Sequence, residues 1–310
     1  MVVIAGFGVT TLIDPVTKRT VWGTPRSVWT KRFPDDLELD PNDRLVPGNW
    51  VGSRGPINTG WQLSIALRKW GGYTLDRDLH PFYYDWRRDA RENARLLDAF
   101  IDRIRNNGEV DLVTHSAGAL VALASSQEHV RNIVMVAPPR HGVVDAFRLF
   151  VQPERFIRRT FGPQFVATWP FLFELLPENG RVFVDEEGHP LERDLWNPAD
   201  WPLDIRAQLE SARAFREELR TKTPRAKITV LAGDCVPTAK RILQRRDGTY
   251  VFYADDLRPT EQHLAPVLFE PGDGTVPVSS AGEALLFCDG HQGIAADPNV
   301  HRAIIRALRF

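Results

Sequence analysis

Ser116 is the residue around which chemistry can be built. It sits in Val113-Thr114-His115-Ser116-Ala117-Gly118, after a short apolar run from Val110 that reads as a strand and before Leu120, Val121 and Leu123, which read as a helix. A sharp strand-to-helix turn of this kind exposes a serine hydroxyl at the end of a sheet, and the small residues Gly118 and Ala119 let the helix pack close to it. A capping serine in an ordinary strand-turn-helix has the same local signature, so partners elsewhere in the chain must decide.

Serine is a weak nucleophile at its own pKa. It needs a histidine to take its proton and a buried carboxylate to hold and stabilise that imidazole. The far end of the chain offers both. Pro271-Gly272-Asp273-Gly274-Thr275-Val276-Pro277 is a tight polar loop, and His291 follows an apolar run, Ala284 to Cys288, that reads as a strand. Gly-Asp-Gly is also strong turn chemistry in its own right. Asp234, just beyond the apparent strand Thr229 to Ala232, is a rival acid. His301 is a rival base, although it lies inside the apparent last helix, where a side chain cannot easily swing over the sheet.

These segments resemble known families. The serine turn is similar to the G-x-S-x-G elbow of α/β-hydrolases, with Thr114 in place of the first glycine, and the order Ser116, Asp273, His291 is the order those enzymes use. Tyr84-Asp85-Trp86-Arg87, His115-Ser116-Ala117-Gly118, Leu175-Leu176-Pro177 and Gly272-Asp273-Gly274-Thr275-Val276-Pro277 together resemble the lecithin:cholesterol acyltransferase family, with its lysosomal phospholipase and phospholipid:diacylglycerol acyltransferase relatives. The resemblance implies an α/β-hydrolase fold, a triad of Ser116, Asp273 and His291, and an oxyanion hole at the amides of Ala117 and Phe7. Ala5 and Val9 depart from that pattern, standing where the family has a proline and a glycine. Gly6, His115 and Trp169 are the expected substrate-side residues. The implied chemistry is acyl transfer from a lipid-like ester through an acyl-enzyme, to water or to an alcohol. A thioesterase or acyl-transferring cyclase would use the same residues, and a non-catalytic binding scaffold would lack a triad member.

Composition narrows the class. A chain of 310 residues with 43% hydrophobic and 25% charged residues is ordinary for a globular protein, and can form one α/β domain with an insertion. A net charge of −1 makes no electrostatic case for nucleic acid or an anionic membrane as principal partner. The two cysteines, Cys235 and Cys288, have no metal-like spacing, and neither a metal site nor a disulfide is expected from them. No cofactor is implied. No apolar stretch has the length of a membrane span, and the first residues read as a strand rather than a signal peptide, so the expected location is cytoplasmic.

The elements alternate as a parallel sheet requires. Apolar residues at Leu97, Phe100, Ile101 and Ile104 mark a helix, and a second runs through Trp61, Leu63 and Leu67 to Gly71-Gly72. Strands are expected at Val2 to Gly6, Pro81 to Tyr84, Asn132 to Val136 and Lys227 to Leu231. Residues 13–60, which include Trp22, Trp29 and Trp50, show no strong period. Residues 141–225 are expected to form a cap inserted into a core made of 1–140 and 226–310. The cap is rich in aromatics, among them Phe147, Phe150, Phe156, Phe161, Phe165, Trp169, Phe171 and Phe173, with a hairpin turn at Asp185 to Gly188 and a returning helix from Ile205 to Leu219.

Overall fold

The computed structural model describes residues 1–24, 37–40, 42–51, 58–152 and 163–309. Trp29, Phe156 and Phe161 lie outside them. The chain is built on a six-stranded sheet in the order β14-β9-β7-β6-β1-β5. Its strands are β1 (Val2–Ile4), β5 (His80–Phe82), β6 (Val110–His115), β7 (Val130–Val136), β9 (Lys227–Gly233) and β14 (Leu285–Phe287), and each neighbouring pair is parallel.

Both faces of the sheet are covered, which is why its strands read as continuous apolar runs. Side chains alternate across it. Val3, Val113, Val134 and Leu231 pack on one side against Leu63 and Leu67 of helix α1 (Thr59–Gly71) and Ile304 of the last helix, Pro298–Arg309. Ile4, Leu112, Ile133 and Val230 pack on the other against Leu97 and Ile101 of α2 (Ala90–Ile104) and Leu120 of α3 (Gly118–Ala124). Asp89 caps α2, its side chain accepting from Arg91 N. Helix α1 ends as the glycine pair predicts, with Gly72 at φ 76°.

β2 (Thr10–Ile13), just before the segment without a strong period, forms a separate three-stranded antiparallel sheet with β3 (Thr20–Trp22) and β4 (Val46–Trp50) within it. Between β7 and β9 lie α4 (Asp145–Val151), α5 (Pro170–Glu174), β8 (Phe183–Val184) and α6 (Arg206–Thr221). β8 pairs with β11 (Ile242–Gln244), which pairs with β12 (Tyr250–Val251), so a later stretch of chain completes a small three-stranded sheet with this segment. A further antiparallel pair, β10 (Val236–Ala239) with β13 (Phe269–Gly272), carries the Asp273 loop. Glu174 ties this segment to the helices on the sheet, since its Oε2 accepts from Ala90 N at the start of α2, 2.9 Å away.

The aromatics of this segment pack mainly on one another. Phe150 packs 5.0 Å from both Phe173 and Trp201, and Phe147 packs 5.3 Å from Phe183.

Candidate active site

β6 ends at His115, and Ser116 follows with φ 52°, a left-handed conformation that a side chain adopts only under constraint from its surroundings. The constraint is visible on both flanks. Ser116 N donates to Val136 O at 2.9 Å. On the other side, a Cβ on Gly6 would lie 2.9 Å from Ser116 Cβ, and one on Gly118 would lie 2.5 Å from Ala5 O. Glycine at both places is what allows the turn to sit against β1. Thr114 fits where a glycine is usual because its side chain is buried within the sheet, level with Ile4.

The three residues singled out from the two ends of the chain form one hydrogen-bonded line. His291 Nε2 lies 2.9 Å from Ser116 Oγ, and His291 Nδ1 lies 2.8 Å from Asp273 Oδ2. The loop itself sets this alignment, because His291 N donates to Asp273 O at 2.8 Å. Asp273 Oδ1 accepts from Thr275 N and Val276 N at 2.9 and 2.7 Å. Burial pushes the Asp273 carboxyl up, but His291 and these amides outweigh it and hold its pKa below the usual carboxylate value. Burial likewise opposes charge on His291, yet Asp273, with a smaller contribution from Asp145, leaves its pKa above the ordinary 6.5. With Asp273 ionised, Nδ1 carries the proton and Nε2 is left to accept from the serine hydroxyl.

The rivals are elsewhere. Asp234 N donates to Phe287 O, and its carboxylate meets Cys235 Sγ rather than a histidine. His301 is buried in the last helix against Ala295 O, 2.8 Å away. Cys235 and Cys288 form a disulfide with Cα atoms 4.9 Å apart, which corrects the expectation of unpaired thiols. The reason is register: β9 and β14 run in parallel with Gly233 opposite Phe287, so the residues just past the two strand ends come together. One strand end then leads into β10 and the other into His291.

Ser116, His291, Gly6, Phe7, His115 and Ala117 line one cavity of about 240 Å³. Neither the Ala117 nor the Phe7 N–H donates to a described residue, so both are available to a ligand oxygen. Val143, Leu149, Leu172 and Leu175 make an aliphatic wall. Trp169 is not among the residues that line this cavity. It is fully buried, its Nε1 donates to Leu37 O, and its ring meets Trp86 edge-on behind Phe7.

Tyr84-Asp85-Trp86-Arg87 lies behind the site as well. Tyr84 Oη donates to Ala5 O at 3.0 Å, Trp86 Nε1 to Thr10 O at 3.0 Å, and Arg87 is locked between Asp85 and Asp43. The quartet thereby fixes the β1 loop that carries Phe7, and Phe7 rests edge-on against Trp86 with ring centroids 4.7 Å apart.

His115 is 1% exposed, and burial brings its pKa down to about 3, so the ring is neutral. Its Nε2 lies 2.9 Å from the backbone oxygen of His291, which can only accept; Nε2 therefore carries the proton and steadies the His291 loop. Asp145, Arg148 and Tyr253 also line the cavity, and no signal in the sequence marked them. Among the described residues, no cluster of three or more metal-ligating side chains occurs and no helix is long and apolar enough to cross a membrane.

The sequence profile of the alpha/beta hydrolase family matches residues 45–296. No protein of curated function matches the chain. Among solved structures, that of the Tle4–Tli4 complex is similar at 14% identity and a TM-score of 0.65, over 99% of this chain and 97% of the other. The mature form of the Bacillus licheniformis lipase BlEst2 is similar at 14% identity and a TM-score of 0.50, over 99% of this chain and 90% of the other. The parallel sheet, the strained serine turn and the matched profile agree: the chain belongs to the alpha/beta hydrolase family.

Proposed function

We propose that the protein is a serine acyl-ester hydrolase with Ser116 as nucleophile, His291 as general base and acid, and Asp273 as the residue that orients His291. The observation that carries the reading is the unbroken hydrogen-bonded line from Ser116 through His291 to Asp273, opening on a cavity beside two free amides. As Ser116 Oγ bonds to the ester carbonyl carbon, its proton passes to His291 Nε2. The negative charge on the carbonyl oxygen falls to the Phe7 and Ala117 N–H groups, and Asp273 stabilises the imidazolium. Collapse breaks the ester bond, the alcohol leaves with the proton from Nε2, and an acyl-enzyme remains. Water, deprotonated by His291, then releases the acid.

Residues 1–140 and 226–310 act as the catalytic core in this reading, and 141–225, together with the β11–β12 stretch, as a cap over the site. The aliphatic wall favours an acyl chain, as in the lipid-like esters that the lecithin:cholesterol acyltransferase resemblance implies. The lipase among the similar structures accords with an ester substrate. The cavity, at about 240 Å³, lies below the roughly 300–1,000 Å³ of drug-sized ligand pockets, so a chain of modest length fits it as it stands. An alcohol in place of water would make the same acyl-enzyme an O-acyltransferase, which product analysis with added alcohol detects. The test of the reading is mass spectrometry after a fluorophosphonate: the adduct belongs on Ser116, and Ser116→Ala loses ester cleavage by several orders of magnitude. An adduct on another serine, or an active alanine variant, refutes it.

A further inference from the structure

Phe7 lies in a four-residue turn, Gly6 to Val9, closed by Val9 N donating to Gly6 O at 3.3 Å. Gly8 stands third in the turn with φ 75°, a left-handed value that glycine adopts without strain. The next bond comes from outside the turn. Trp22 Nε1 donates to Gly8 O at 2.7 Å, from fourteen residues further along the chain. β3 pairs with β2 so that Trp22 stands opposite Leu12, and the hairpin brings the indole back to the turn. Trp22 is 2% exposed, and its ring meets edge-on, at 5.6 Å, the same Trp86 against which Phe7 rests.

These bonds share peptide groups. A trans peptide unit holds the C=O of one residue and the N–H of the next in one plane, pointing opposite ways. The Gly8 carbonyl that accepts from Trp22 is in the same unit as Val9 N–H, and the Gly6 carbonyl that accepts from Val9 is in the same unit as Phe7 N–H. The line therefore runs from Trp22 Nε1 through two peptide units to Phe7 N–H, which donates to no described residue and borders the cavity. Two effects act along it. Fixing Gly6 O fixes the direction of Phe7 N–H, because the plane does not twist. Each accepted bond also polarises its peptide unit and makes that unit's N–H a stronger donor, by about 10–30% per bond. Mutual satisfaction of a buried indole and a buried carbonyl explains why a bond forms here; which carbonyl receives it is what couples the β2–β3–β4 sheet to the site.

Resting on the ester-hydrolase reading, we propose that Trp22 is a positioning residue for the oxyanion hole, acting on Phe7 N–H through the Gly8–Val9 and Gly6–Phe7 peptide units. The small antiparallel sheet then has a part in the reaction, since it presents one indole N–H to the turn. Trp22 is not among the residues that line the cavity, so substrate does not meet it. Charge on the carbonyl oxygen develops only toward the transition state, and a weaker Phe7 donor therefore lowers kcat while KM stays the same.

The test replaces Trp22 with benzothienylalanine, which keeps the fused rings and their packing and puts sulfur where the N–H was. Complete loss of an oxyanion donor costs about 10²–10³ in kcat, so loss of its support should cost about tenfold, with KM unchanged. Butylboronic acid gives a second reading. Ser116 Oγ bonds to boron, the serine proton passes to His291, and the boronate sets a negatively charged oxygen at the two amides; its affinity should fall by the same factor as kcat. A third reading needs no chemistry at Ser116. In the free protein, the Phe7 amide proton resonance, identified by its absence in Phe7→Leu, should move upfield once the indole N–H is gone. Unchanged kcat and boronate affinity, or a loss that falls on KM, overturns the proposal. So does a loss seen in Trp22→Phe but not in the isostere, which would assign the effect to ring packing. An unmoved Phe7 resonance in an enzyme that cleaves esters refutes the relay alone. A wild type that neither cleaves esters nor bonds to the boronic acid refutes the hydrolase reading, and the part of Trp22 in catalysis with it.

Discussion

Reducing the Cys235–Cys288 disulfide should destabilise the protein and slow it together. The bond closes a loop of 53 residues that contains β10 to β14 and the Asp273 loop. Chain-entropy accounting for a loop of that length gives about 4 kcal/mol of stabilisation at 25 °C. With an unfolding entropy of roughly 2.1 cal/mol/K per residue over the whole chain, that becomes a fall in Tm of about 6 °C. Cys288 stands three residues before His291, and Gly233, at the other strand end, packs where a Cβ would lie 2.7 Å from Asp273 Cβ. Loosening this corner therefore moves acid and base relative to each other. Both cysteines are exposed, so a phosphine reductant reaches them without unfolding the chain. Calorimetric scans and initial rates with and without reductant, and on Cys235→Ser with Cys288→Ser, measure both effects. A Tm shift below about 1 °C in the double variant would refute the reasoning, because the loop length alone demands more. A reducing environment such as the cytosol would hold both cysteines as thiols, so this contribution is present only under oxidising conditions.

Three further outcomes follow from the site. Asp273→Asn should lower kcat by a factor on the order of 10⁴, because the amide favours the wrong imidazole tautomer, while Asp234→Asn stays within about threefold; steady-state kinetics decides, and a reversal would move the acid to Asp234. The pH profile of kcat/KM should fall on the acid side through a value above 6.5, since His291 must be neutral to accept a proton and its neighbours favour the charged form; Asp145→Asn removes one of those neighbours and should shift the limb to lower pH, whereas an unshifted limb would deny the coupling. His115→Asn, which keeps an N–H donor for the His291 carbonyl, should retain more kcat than His115→Phe, by about tenfold, with KM unchanged in both; equal losses would reduce His115 to packing.

How much of this was legible in the chain depends on how local each signal is. β6 and α2 announce themselves by an apolar run and by a 3.6-residue period, and the turn at Ser116 by the small residues around it. The β2–β3–β4 sheet is invisible for the opposite reason: its strands are three to five residues long, and Val46-Pro47-Gly48-Asn49-Trp50 holds two residues that normally argue against a strand. The disulfide depends on β9 and β14 being neighbours, a fact of strand order that no spacing between Cys235 and Cys288 encodes. Aromatic content gives Trp169 no direction, and only the packed structure shows it turned toward Trp86.

Asp145 and Arg148 are the most instructive omission. An opposite-charge pair one turn apart on a helix is the ordinary signature of a solvated face. Here the sheet places Ser116 and His291 just past the ends of β6 and β14, and the segment between β7 and β9, anchored by Glu174 at the start of α2, puts Asp145 and Arg148 of α4 at the same cavity. The same two residues that would be unremarkable in water then become the polar end of an apolar cavity. Local sequence marks the proposed nucleophile and its partners because the proposed chemistry demands particular residue types. It specifies the substrate far less well, because selectivity depends on which ordinary side chains the tertiary fold aims at the ester.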